Sequence, residues 1–220
     1  MANKKEHVGD NITVLYDVKR CIHAAECVRG LPQVFDVKRK PWIDPNAATP
    51  DAIAAVVMKC PSGALQFERR DGGEPEPVPA TNTVKPIANG PLNVQGKLEI
   101  LTPNGEVVIS DTRMTLCRCG ASKNKPFCDN SHAKVGFKDG GALGADVTKT
   151  SESPDKEKAL KITPSNHGPL VIRGPVEVVG ADGKNRYQCD RAFLCRCGAS
   201  KNKPFCDGTH KQIGFTDTFA

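Results

Sequence analysis

The chain has 220 residues, a net charge of +6 and ten cysteines, with aromatics at only 5% beside 20 Gly and 17 Pro. That length allows one large domain or two to three small ones, and small domains so poor in bulky side chains need staples beyond an apolar core. No stretch approaches the roughly eighteen apolar residues of a membrane span, and the polar start, MANKKEHVGD, lacks the apolar region of a secretory signal. A reducing, cytoplasmic setting is therefore expected, with cysteines as thiolate ligands and not disulfides.

The first element in chain order is a segment over residues 10–70. Residues 12–17 read as a strand, 24–30 as a helix, 50–59 as a helix delivering Cys60, and 66–68 as a returning strand. Its cysteines are spaced C-x5-C at Cys21 and Cys27, with Cys60-Pro61 far downstream. This pattern resembles a divergent single-cluster ferredoxin. The resemblance implies a ferredoxin-like domain in which Cys21, Cys27 and Cys60 bind a cluster. The middle ligand would fall at Ala24, which cannot bind iron. Three cysteines suit [3Fe–4S]; [4Fe–4S] needs a fourth ligand, with His23 beside the vacancy or an ordinary surface residue. A relic that keeps the fold without a cluster is the alternative. Residues 71–83, with three Pro and Gly72-Gly73, read as a linker.

The rest of the chain is one unit written twice. Residues 116–129 and 194–207 are both LCRCGASKNKPFCD, each followed three residues later by a histidine, His132 and His210. The offset of 78 residues also aligns Gly96 with Gly174 and Asn104-Gly105 with Asp182-Gly183, without a gap. The units span 84–137 and 162–215, joined by a Gly-, Ser-, Thr- and Lys-rich linker over 138–161. A tandem duplication is expected to pack about a pseudo-two-fold axis within a monomer. Each unit reads as mainly β: strands over 92–101 and 106–110 about a turn at 103–105, then a short strand over 113–116. The second unit repeats this with 170–179, 186–189 and 191–194. Asp129 and Asp207 are expected to cap a short helix after the third cysteine. The fold class is α+β, a ferredoxin-like domain followed by a mainly β duplicated domain.

Cys117, Cys119, Cys128 and His132 form one donor set; Cys195, Cys197, Cys206 and His210 form the other. Three thiolates and an imidazole suffice for a metal centre, and Cys3His is also an ordinary structural zinc set that C-x-C spacing does not exclude. The motifs resemble the CDGSH, or NEET, iron–sulfur domain, C-x-C-x2-[ST]-x3-P-x-C-D-G-[ST]-H. Ser122, Pro126, Asp129 and Ser131 match in copy one, and Ser200, Pro204, Asp207, Gly208 and Thr209 in copy two. Asn130 stands where the family has Gly, and it is the residue that best tolerates positive φ after Gly. The resemblance implies a [2Fe–2S] cluster per unit, with the C-x-C pair on one iron and the third Cys and His on the outer one. One imidazole for a thiolate makes the site less negative, easier to reduce and acid-labile.

The excess positive charge lies in residues 81–220, partly at Arg118, Lys123, Lys125, Arg196, Lys201 and Lys203. It is either a solvated surface or a collar that steers an acidic partner. No nucleic-acid motif, phosphate loop or catalytic dyad is present. The expected function is electron transfer or cluster transfer to a redox partner or apo-acceptor protein, without enzyme activity, membrane or nucleic acid. The rivals are a zinc-stabilised interaction module and the redox subunit of a larger enzyme. Cys189, whose counterpart is Asp111, has no assigned role.

Overall fold

The computed structural model describes residues 4–143 and 158–219. Residues 1–3 of the polar start and 144–157 of the predicted linker lie outside the described residues. The chain is mostly β with few helices and divides into two compact units, Met1–Pro77 and Val78–Ala220.

In the first unit β1 (Lys5–Val8), β2 (Ile12–Tyr16) and β3 (Leu65–Arg69) form an antiparallel sheet with β2 in the centre. β2 carries Ile12 and Val14 into the core, where Phe35, Ile43, Leu65 and Phe67 join them. The edge strand β1 has the sequence KEHV, which lacks an apolar face, and this is why sequence pattern does not reveal it. Between β2 and β3 come two helices, α1 (Glu26–Gly30) and α2 (Pro50–Val57). α2 has Pro50 in its first turn and Thr49 as cap, the hydroxyl accepting from the Ala52 amide at 3.4 Å. It buries Ile53, Ala54, Val56 and Val57, so its end fixes Cys60, whose amide bonds Val57 O at 3.0 Å. α1 starts later than its residues suggest, because Ala25 takes a left-handed φ of 63°.

In the second unit each copy contributes three strands and a one-turn helix. Copy one has β4 (Thr83–Pro86), β5 (Leu92–Leu101), β6 (Val107–Leu116) and α3 (Ser131–Lys134). Copy two has β7 (Leu160–Pro164), β8 (Leu170–Val179), β9 (Arg186–Leu194) and α4 (Thr209–Gln212). The two return strands expected per copy are single strands, β6 and β9, interrupted in sequence only by the polar Asp111-Thr112 and Asp190. Both copies share one six-stranded sheet.

The copies are interleaved by their short first strands, which turn residues alone did not reveal. β4 pairs antiparallel with its own β5, Val84 opposite Val94, and parallel with β8, Val84 opposite Val178. β7 repeats this from the other side, Ile162 facing Ile172 of β8 and Ile100 of β5. One core follows, with Leu92, Val94, Met114 and Leu116 beside Leu170, Ile172, Ala192 and Leu194. Cys189 belongs to it, 7% exposed and opposite Val176.

Asn82, just before β4, is the polar joint. It is 3% exposed; its amide donates to Lys158 O at 3.0 Å and Pro175 O at 2.9 Å, and its oxygen accepts from Lys97 N at 2.8 Å. Gly96 makes room: its φ is 137°, and a Cβ there would stand 2.1 Å from the Asn82 oxygen. Asn82→Ala leaves the buried Pro175 carbonyl and the part-buried Lys97 amide and Lys158 carbonyl without this partner, and is expected to cost about 2 kcal/mol, measured as a lower urea midpoint at an unchanged m-value.

Candidate metal centres

The cysteine loops are built as continuations of β6 and β9. The Cys117 amide bonds Pro126 O at 2.8 Å and the Cys128 amide bonds Thr115 O at 2.9 Å, so residues 126–128 return beside the end of β6. Copy two repeats this with Cys195 to Pro204 O and Cys206 to Phe193 O, both at 2.8 Å. Ser122 locks the loop, its hydroxyl donating to Phe127 O at 2.7 Å and accepting from Asn124 N at 3.0 Å; Ser200 does the same.

The four donors of each set stand as two pairs. Sγ of Cys117 and Cys119 are 3.7 Å apart, and those of Cys195 and Cys197 3.9 Å. Cys128 Sγ lies 3.5 Å from His132 Nδ1, and Cys206 Sγ 3.3 Å from His210 Nδ1. Two sulfurs bound at about 2.3 Å on one tetrahedral metal are about 3.8 Å apart, and a sulfur and a nitrogen slightly less. Each pair therefore has the bite of one metal ion. Among the described residues, no three His, Cys, Asp or Glu side chains converge on a single ion.

The imidazole reaches its cysteine because the chain turns sharply before α3 and α4. Asn130 and Gly208 take left-handed φ of 66° and 88°, so Asn serves where the repeat has Gly. The expected caps, Asp129 and Asp207, sit one residue before the cap position. They still accept helix amides, from Ser131 and Thr209 at 3.0 Å, and bind Lys123 and Lys201 amides at 2.8 Å. Bonds from Thr209 and Lys201 hold the Asp207 carboxyl well below the usual range.

Electrostatics inside a set are unequal. The Cys117 thiol, donating to Cys119 and buried, is pushed far up, while that bond lowers Cys119 to about 6. Burial raises Cys128 and Cys195 to about 11. Burial, and then Arg118, lowers His132 and favours the neutral imidazole a metal needs.

The residue between the paired cysteines points the other way. Arg118 and Arg196 are each 1% exposed, which corrects their reading as a solvated surface or collar. Arg118 bonds Gly90 O at 2.7 Å, Ile87 O at 2.6 Å and the Asp139 carboxylate, with its guanidinium 5.1 Å from the Phe137 ring centre. Arg196 bonds Gly168 O at 2.9 Å, Ser165 O and Asp217 at 2.6 Å, over Phe215. Lys125 and Lys203 turn back onto the carbonyls of Ser122 and Ser200. Only Lys123 and Lys201 of the six are exposed.

The two loops meet back to back. Cys119 and Cys197 form an isolated backbone bridge. Gly120 and Gly198 follow at φ of 81° and 85°, where a Cβ would stand 2.5 Å from the facing cysteine carbonyl. Lys125 also reaches Asp217 of copy two at 3.7 Å.

In the first unit Cys21, Cys27 and Cys60 line one cavity, together with His23, Ala24 and Tyr16. The loop wraps it with His23 and Ala25 in left-handed conformation, at φ 53° and 63°. Cys60 Sγ lies 3.6 Å from Ser62 Oγ, and burial raises Cys27. Tyr16 and Trp42, stacked edge-on at 5.0 Å, form an aromatic wall that no spacing in the sequence announces.

Comparison with known proteins follows the same division. Residues 7–70 match a family described as a divergent 4Fe-4S mono-cluster, and residues 89–133 and 167–211 match the iron-binding zinc finger of CDGSH type. Over 64 residues the chain is 38% identical to the uncharacterized protein YjdI of Escherichia coli, in strain K12 and in O157:H7, covering 29% of this chain and 84% of the relative.

In reduced, metal-stripped protein, alkylation should begin at Cys119 at neutral pH, ahead of Cys128 and Cys195. Its rate should fall as pH drops through about 6, where the thiolate is lost; mass mapping of labelled peptides against pH checks this.

Proposed function

We propose, for a chain that belongs to the divergent 4Fe-4S mono-cluster family in its first unit and to the CDGSH iron-binding family in both repeats, that it is a carrier with three iron–sulfur centres. Cys117, Cys119, Cys128 and His132 hold one [2Fe–2S] cluster, and Cys195, Cys197, Cys206 and His210 the other. The observation that carries this reading is the pairing of donors, two to a metal, in both repeats. A single zinc ion would draw all four donors to one point, and the second pair would then stand as close to the first as its own members do. The exchange of β4 and β7 supports a pseudo-two-fold monomer, in which the copies imitate a dimer.

Cys21, Cys27 and Cys60 hold the third cluster in a ferredoxin-like domain. Three thiolates make a [3Fe–4S] centre, or a [4Fe–4S] centre with a non-cysteine fourth ligand. The clusters supply one-electron chemistry when bound; the chain's residues set their charge and access. Cys117 and Cys195 are buried, whereas Cys119, Cys197, His132 and His210 are partly exposed. The imidazole end is assigned to the partner because it is the end that acid opens. The function is electron transfer, or cluster transfer to an apo-acceptor, in the cytoplasm and without an active site of its own. Lys123 and Lys201, exposed beside the loops, suit an acidic partner.

Protein purified without oxygen should be red-brown, with about four irons in the duplicated unit; colourless protein with stoichiometric zinc refutes the reading. Cys21→Ser, Cys27→Ser or Cys60→Ser should remove a separate paramagnetic signal and leave the [2Fe–2S] absorbance.

Loss of that absorbance should speed up as pH falls below neutrality. His132→Cys and His210→Cys should each slow the loss at one cluster and lower its potential, because a negative ligand replaces a neutral one. Stopped-flow absorbance across pH checks this. An unchanged rate and profile in the double variant would leave plain electron transfer without cluster donation.

A further inference from the structure

Beside the cysteine loop of the first unit lies a groove of about 660 Å³, within the usual range for small-molecule sites. Its walls are Tyr16, Val18, Val37, Pro41 and Trp42. Val18 and Val37 are 62% and 74% exposed, among the most exposed apolar side chains of the described residues. Water-facing apolar surface of this kind marks a place where something binds. The polar residues of the groove are all of one sort. Lys5, Arg39 and Lys40 bring positive charge and His7 and His23 bring imidazoles, while no acidic side chain lines it. Arg39 is partly committed to the fold, bonding Val34 O at 2.8 Å and Gln33 O at 3.1 Å, so Lys5 and Lys40 carry the adjustable charge.

We propose that this groove binds a small organic anion with an aromatic or apolar body. The body lies against Tyr16 and Trp42, and the anionic group meets Lys5 and Lys40. Cys21 and Cys27 also line the groove, so the ligand would lie beside the proposed third centre. If that centre is present, a bound anion adds negative charge next to it and lowers its potential, because reduction adds a further electron. That consequence rests on the third cluster; the binding does not.

Trp42 is the chain's only Trp and lines both this groove and the adjoining cysteine cavity, so its emission reports binding in this part of the first unit. Full-length protein with its metals is titrated with anilinonaphthalene sulfonate, an aromatic anion, and with the uncharged N-phenylnaphthylamine, by calorimetry and Trp42 fluorescence. The sulfonate should bind and quench Trp42, and the neutral compound should bind at least fivefold or so more weakly. Lys5→Glu with Lys40→Glu should weaken sulfonate binding roughly tenfold and leave the neutral compound unaffected, with an unchanged far-UV circular dichroism spectrum. Equal binding of the two compounds, indifference to the Lys changes, or sulfonate binding without a Trp42 response overturns the proposal. Failure of the sulfonate to bind while an acidic peptide does would assign the groove to a protein partner and overturn it as well.

Discussion

A residue between two cysteines in extended backbone must point away from the side on which their sulfurs lie, and in this protein that residue is an arginine. Arg118 and Arg196 turn inward and fasten three segments each: the turn before β5 or β8, the stretch after α3 or α4, and the cysteine loop itself. Burying a cation is costly unless each of its donors finds a partner. Here carbonyls, a carboxylate and an aromatic face supply them. The cysteines therefore stand on a backbone held from behind, and the imidazole reaches the third cysteine over a fixed turn.

The second constraint is contact between the copies. Gly120 and Gly198 let the two loops touch at Cys119 and Cys197, and the exchange of β4 and β7 builds a single core from two short units. Each copy is short, and a shared sheet gives the two one core. The copies are not identical in their contacts. Lys125 reaches Asp217, while Lys203 lies over the Phe137 ring at 5.9 Å. The two candidate sites therefore differ in surroundings although their loops have the same sequence.

Much of the candidate sites could be read from the sequence, because metal donors announce themselves by type and spacing. The Cys and His positions, the repeat, the left-handed role of Asn130 and the long strands β5 and β8 all follow from local pattern. The features that do not follow depend on partners far along the chain. β1 has no apolar alternation of its own, and β4 and β7 alternate over only four and five residues; they exist because a longer strand offers an edge. Arg118 and Arg196 resemble surface charges in any composition count, although the two-residue alternation through Cys-x-Cys already forces them inward. Trp42 and Tyr16 come together only through the fold of the first unit.

The most direct test of paired donors is a Mössbauer spectrum of the oxidised protein carrying Cys21→Ser, Cys27→Ser and Cys60→Ser, so that only the duplicated unit contributes. Two quadrupole doublets of equal area are predicted, one from irons with two thiolates and one from irons with a thiolate and an imidazole. A single doublet from equivalent irons, or a protein without iron that holds zinc, would contradict the account.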